Sequence, residues 1–383
     1  MKCSCIIPAY GRSVEVIEET LLALFSLREE FFSNCIEIFL IDQNLSPLKL
    51  DLKFANWPKE YLDKIDYTLY CGKCKSAQLD ITFSSKSESE SDLETTAAIK
   101  FLHIISLNPS TTIAKNYAIA LAQAELLLFF DDDVLIQKGA IDAHIKVHKE
   151  YADAGFVCGR EIIDPPTKGR SKFREYLANK MEKFVSGELI TINQDKGNLN
   201  SKLSKEINNK RQEEAKYKAQ RYVGRVTAES FFLCDFDQVI AEENRVIKIN
   251  TVRGCNASLK RSIFELSGGF DENFQGTALR EESDLCLRLE KIGYSNYYTD
   301  KAVAIHRRQL GGCNNLSKSY QALISKYECE LLFQTKHFLD KSSFYFFIRL
   351  LPLTLENFIR TWGISFILTL QFVYTFFRTT KNN

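Results

Sequence analysis

Three consecutive carboxylates, Asp131-Asp132-Asp133, stand directly after the apolar run at residues 126–130. Adjacent carboxylates repel one another, and a bound divalent cation relieves that repulsion. Hard oxygen donors of this kind suit Mg2+ or Mn2+. The same triplet would serve as a solvated turn or a helix N-cap, where aspartate is common. A second acidic pair, Glu281-Glu282, precedes Leu285, Leu289 and Ile292, which share one helical face. The pair therefore falls at a helix N-terminus, where the dipole favours carboxylates. Capping accounts for one acid; two acids beside a glycine-containing loop and a downstream arginine suggest the lip of a pocket. His306 follows the apolar stretch 302–305 and precedes Gly311-Gly312. A single histidine after a strand is more often structural, but near acids that need a cation it becomes a further metal ligand. Cys71-Gly72-Lys73-Cys74 has no second CxxC partner in the chain, which argues against a structural zinc site.

The elements that must position these residues alternate between strand and helix. Residues 3–7 read as a short apolar strand ended by Pro8, and 36–41 and 101–107 as two more. Helical spacing of Val14, Ile17, Leu21, Leu24 and Phe25 predicts a helix over 14–27. Asn108-Pro109-Ser110-Thr111 supplies helix-start chemistry before an alanine-rich helix through Ala122. This alternation predicts an α/β fold with a mainly parallel central sheet covered on both faces. In such sheets ligands bind beyond the carboxyl ends of the strands, where Asp42 and Asp131 to Asp133 fall.

Two polar stretches interrupt the pattern, about residues 75–97, whose serine-rich part at 84–92 cannot build a core, and 193–220, which reads as a solvated helix or a mobile insertion. A helical connector is expected over 313–342. From 343 the chain is rich in Phe and Leu, with Arg349, Glu356 and Arg360 on one helical stripe. Residues 361–377 carry no charge and would reach about 25 Å as a helix, short of the roughly 30 Å hydrocarbon core. An interfacial or marginally spanning segment at 343–383 is the expectation. The N-terminus reaches Pro8 too soon for a signal peptide, and the eleven scattered cysteines read as reduced thiols, so the cytoplasmic face of a membrane is expected. A net charge of +1 forces no basic face, which argues against nucleic acid as a partner.

Together these motifs, in this order, resemble glycosyltransferase family 2, the inverting enzymes of the GT-A (Rossmann-like) fold, over roughly residues 4–312. The residues that carry the resemblance are Ser4 to Tyr10, Ile38 to Asn44, Ala114-Lys115-Asn116, Leu128 to Val134, Arg253 to Ser258, Gly268 to Glu272, Glu281 to Leu285 and the His306 segment. The resemblance implies transfer of a sugar from a nucleotide-diphosphate sugar to an acceptor hydroxyl with inversion. It puts the donor over Pro8, Ala9, Tyr10, Asp42, Lys115, Asp131 and Asp132, and a divalent cation on Asp133 with His306. The general base would be Glu282, with Glu281 the alternative. A hydrophobic tail adds the expectation of a lipid-linked or cell-envelope glycan acceptor, in polysaccharide biosynthesis. A nucleotidyltransferase would show a glycine-rich phosphate loop after Ile7, and none is there. A catalytically silent scaffold that keeps the fold is the remaining alternative.

Overall fold

The computed structural model describes residues 1–27, 29–44, 65–75, 78–83, 97–105, 110–164, 225–226, 232–233, 246–276, 278–307, 320–338 and 370. The N-terminal half runs β1 (Cys3–Ala9), α1 (Val14–Ser26), α2 (Glu29–Asn34), β2 (Cys35–Asp42), β3 (Ile65–Lys75), β4 (Gln78–Phe83), β5 (Ala97–Ile105), α3 (Thr111–Leu121), β6 (Leu126–Phe130) and β7 (Val134–Ile136). It continues with α4 (Ala140–Glu150), β8 (Ala154–Asp164), β9 (Arg225–Val226), β10 (Phe232–Leu233), β11 (Val246–Ile249), β12 (Asn256–Lys260), α5 (Arg261–Leu266), α6 (Glu281–Lys291), β13 (Ser295–Arg307) and α7 (Tyr320–Phe338). β4 lies inside the stretch expected to be a polar insertion, hairpinned onto β3.

Eleven strands form one sheet in the order β11-β13-β8-β12-β6-β1-β2-β5-β3-β4, with β7 added on β13. The alternation of side chains along β1 sorts the core into two layers. Cys3, Cys5 and Ile7 pack under α1 and α4 with Leu21, Phe25 and Ile141, whereas Ile6 faces α3, α5 and α6 with Ala118, Phe264 and Leu285. Burying each large apolar side chain contributes about 1.5–3 kcal/mol, so both helical layers are held by their apolar stripes.

The sheet is mixed, where a mainly parallel one was expected. β1 runs parallel to β2 and β6, β5 lies parallel to β2 and β3, and β13 lies parallel to β8. β12, however, enters antiparallel between β6 and β8, and β11 and β7 pair antiparallel with β13. A strand buried on both faces is a continuous apolar run whichever way its neighbours point, so the sequence pattern does not report direction.

The expected connector contains α7, which packs against α6. Phe333 and Cys329 close over Phe274, Leu279 and Leu287, and Arg280 Nε pairs with Glu330 at 2.7 Å. No helix among the described residues is long and apolar enough to cross a membrane. The hydrophobic stretch expected at 343–383 lies outside the described residues except for Leu370, as does the polar insertion at 193–220.

Candidate active site

The acidic triplet forms the turn between β6 and β7. β6 is buried along its whole length, so the chain reaches polar residues only where it leaves the sheet. Arg12, in the loop after β1, bridges two of the three: Nε lies 2.9 Å from Asp132 Oδ1 and Nη2 2.6 Å from Asp133 Oδ2. Thr20 Oγ1 donates to the Asp132 carbonyl, and the Arg307 N–H to the Asp133 carbonyl, each at 2.9 Å. Burial pushes the Asp132 carboxyl up to about 7, against the pull of Arg12. Burial also raises Asp131, with the charge of Asp133 adding to it and His306 opposing.

Sheet register brings His306 to this turn, because β13 pairs with β7 so that His306 sits opposite Val134. Its Nε2 lies 3.1 Å from Asp133 Oδ1, and its Nδ1 lies 2.6 Å from Glu161 Oε1 on β8. Glu161 also pairs with Arg253. Burial works to raise Glu161, but His306 and Arg253 outweigh it and hold the carboxyl at about 2. Burial works against a charged His306, yet contacts with Asp133, Cys255 and Glu161 raise its pKa. Asp133 Oδ1 is buried and has no hydrogen-bond partner among the described residues.

The second acidic pair opens α6. Glu281 and Glu282 both occupy its first turn, behind Arg280 at φ 78°. Lys115 of α3, expected at the donor, is buried between them. Its Nζ lies 2.6 Å from Glu281 Oε1 and 3.2 Å from Glu282 Oε1, over the Phe270 ring. The two glutamates differ in access: the Glu281 side chain is 3% exposed and that of Glu282 21%. Burial raises the Glu281 pKa well above the usual range, against the pull of Lys115. Gly254 lies so close that a Cβ there would collide with Glu282 Oε1. That contact ties the α6 terminus to the segment that carries Cys255.

Of the residues expected to hold a donor nucleotide, Pro8 and Ala9 end β1, and Tyr10 follows half-buried. Asp42 ends β2, buried, with Oδ1 accepting from the Asn44 N–H at 2.9 Å and Asn44 Nδ2 at 2.7 Å. Asn44 Oδ1 accepts in turn from the Gly11 N–H at 2.9 Å, where φ of 64° suits glycine. The strand ends thus bring the Asp131–Asp133 turn, His306 and the α6 glutamates to one side, with the β1 and β2 termini beside them.

Arg12, Glu161 and Cys255 are parts of the site that spacing alone did not single out. Asp131, Cys255 and His306 each offer a ligand atom, and those atoms lie within 4.8 Å of one another. Two ligands at about 2.0–2.3 Å from one cation lie no further apart than roughly 4.6 Å, so small shifts close the set. With the orphaned Asp133 oxygen beside it, this donor set fits a divalent cation. The Cys255 thiol is pushed up to about 12 by burial and by the charge of Glu161.

Beneath the site a chain of buried hydrogen bonds ties α4 to β12. Asn256 Nδ2 donates to the carbonyls of Ala302 and Arg160 at 2.8 and 3.2 Å, so its Oδ1 accepts from His144 Nε2 at 3.0 Å. Ser258 Oγ then donates to His144 Nδ1 at 2.9 Å and accepts from His148 Nε2 at 3.0 Å. Both imidazoles are neutral in this arrangement.

No protein-family model matches the chain, and no curated protein matches it in sequence. Among solved structures, the mannosyltransferase PcManGT from Pyrobaculum calidifontis, in complex with GDP-Man and Mn2+, is 13% identical, with a TM-score of 0.47 over 96% of this chain and 74% of that one. GalNAc-T7 with UDP, GalNAc and Mn2+ is 12% identical, with a TM-score of 0.48 over 91% of this chain and 50% of that one. The chain spans about half the length of the GalNAc-T7 chain. Likeness of this degree carries no argument about activity.

Proposed function

We propose that this chain is a glycosyltransferase of the GT-A type, moving a sugar from a nucleotide-diphosphate sugar to an acceptor hydroxyl with inversion. One observation carries the reading: a partly exposed carboxylate, Glu282, shares the sheet's strand ends with a buried acidic turn and an imidazole. The order of motifs along the chain supports it. Nucleotide would lie over Pro8 to Tyr10 and Asp42, beyond the ends of β1 and β2. Asp133 and His306 would hold the cation, and a bound Mg2+ or Mn2+ supplies positive charge for the leaving diphosphate. Lys115 neutralises Glu281 and leaves the exposed side of Glu282 open to an incoming hydroxyl. Glu282 is therefore the general base and Glu281 its buried, Lys115-bound support.

The hydrophobic stretch at 343–383 supports a lipid-linked or cell-envelope acceptor met at the cytoplasmic face of a membrane. A rival reading, a catalytically silent scaffold, draws on the ion pairs themselves, because Arg12 and Lys115 already pair with four of the acids. Release of nucleoside diphosphate from a panel of nucleotide sugars separates the two. The wild type is expected to release it from one donor class, and Glu282→Gln to be slower by about 10²–10⁴-fold. Glu281→Gln is expected to be impaired far less. No release from any donor would favour the scaffold.

A further inference from the structure

Among the described residues, Cys255 is the soft donor grouped with this acidic turn. It precedes β12, whose antiparallel entry between β6 and β8 delivers it to Asp131 and His306. The histidine is already oriented for ligation. Glu161 takes its Nδ1 at 2.6 Å, which turns Nε2 toward the acids in the carboxylate–histidine arrangement found behind metal ligands. Arg253 anchors Glu161 from the other side. Asp133 is 3% exposed; Arg12 holds its Oδ2 at 2.6 Å, while its Oδ1 has only the His306 ring beside it, at 3.1 Å and without hydrogen-bond geometry. A buried carboxylate oxygen without a donor is costly unless something positive meets it.

We propose that Asp131, Cys255 and His306, with Asp133 Oδ1 at their edge, form a thiolate-containing cation site that selects Zn2+ or Co2+ over Mg2+. A sulfur, nitrogen and oxygen set favours these ions, whereas Mg2+ takes nearly pure oxygen coordination. On binding, the Cys255 thiol gives its proton to solvent as the sulfur–metal bond forms, with no change of oxidation state. Three ligands leave a coordination position open, as in catalytic sites. The inference rests on the functional reading only in taking this strand end as the cation's place, and it replaces the Mg2+ or Mn2+ named there with a softer ion, because that reading did not count the Cys255 sulfur.

The test needs neither nucleotide nor sugar. The full chain, with Cys71→Ser and Cys74→Ser to remove the CxxC thiols, is titrated with Co2+ and read by absorption. A thiolate-to-cobalt charge-transfer band is expected, displaced by Zn2+ and not by an equal concentration of Mg2+. Cys255→Ser should lose the band and bind Zn2+ at least about 10–100-fold more weakly, and Glu161→Gln should weaken binding about 10–100-fold while keeping the band. A second measurement avoids the Cys255 variant. In the wild type, Zn2+ should protect Cys255 from alkylation, as read by peptide mass spectrometry. Absence of the band, its persistence in folded Cys255→Ser, or unprotected Cys255 would overturn the inference. Nucleotide binding that survives any of these outcomes would leave the functional reading standing. An intact band with no nucleotide binding would support the cation site and count against that reading alone.

Discussion

Lys115 shows how much of the site depends on one buried charge. Its ammonium is enclosed by Glu281, Glu282 and the faces of Phe270 and Phe129. Breaking a buried ion pair from one side is far more costly than removing both partners. Lys115→Met is therefore expected to cost about 3–5 kcal/mol in urea unfolding at neutral pH, and Lys115→Met with Glu281→Gln much less. The single variant's deficit should shrink as pH falls, because Glu281 already holds its proton more tightly than an exposed glutamate. An equal cost for single and double variants would mean that the pair is not the origin of the effect. Composition and spacing made these residues visible: Asp131 to Asp133 and His306 stand where apolar runs stop, and Glu281 and Glu282 stand where a helical apolar face begins. Arg12 and Glu161 were not visible, because each is a single charge in a polar or strand context. Only the folded sheet carries Arg12 to Asp133 and Glu161 to His306.

At the scale of elements, β1, β2, β5, β6 and the end of β13 could be read from their apolar runs, and α1 and α3 from the helical period and the Asn-Pro-Ser-Thr start, whereas β4 falls in a stretch expected to be a polar insertion. The direction of β12 could not be read, and it is that direction which puts Cys255 and Gly254 against His306 and Glu282. The histidine chain between α4 and β12 holds this arrangement from below. Burial pushes His144 down to about 4 and His148 down to about 3. An unfolded histidine takes up its proton near pH 6.5, whereas these two stay neutral in the fold. Their contribution is thus intact above about pH 6.5 and is lost as pH falls from there toward 4 and then 3. Stability measured across that window should fall less steeply in His148→Gln, which can still donate to Ser258. An unchanged slope would place the acid sensitivity elsewhere. Gly159 acts at the same scale. A Cβ there would meet the Ala302 carbonyl and the Asn256 side chain, and nothing in its sequence neighbours announces this contact between β8 and β13.

For the molecule as a whole, the domain does not close where the motifs stop. Sequence signals end near Gly312, but α7 supplies Lys336 and His337 to Asp284 at 2.8 and 2.7 Å. Burial works to raise Asp284, yet His337, Arg288 and Lys336 hold it at about 2. Amphipathic spacing could suggest a helix over this stretch, but not which face of the domain it would cover. A chain ended after residue 312 should melt on the order of 10 °C lower than one ended after 338, since Phe274 and Leu287 lose their cover and Asp284 two of its partners. Equal melting temperatures would show that α7 is dispensable. The central claim is that these strand ends form a donor site organised by a cation. It is tested most directly by calorimetry with a panel of nucleoside diphosphates, with and without Mn2+ or Zn2+, on the full chain and on Asp133→Ala. The account predicts that one nucleotide binds only with metal and that Asp133→Ala abolishes that binding. Binding of none of them in a metal-dependent way would contradict it and return the chain to the silent scaffold.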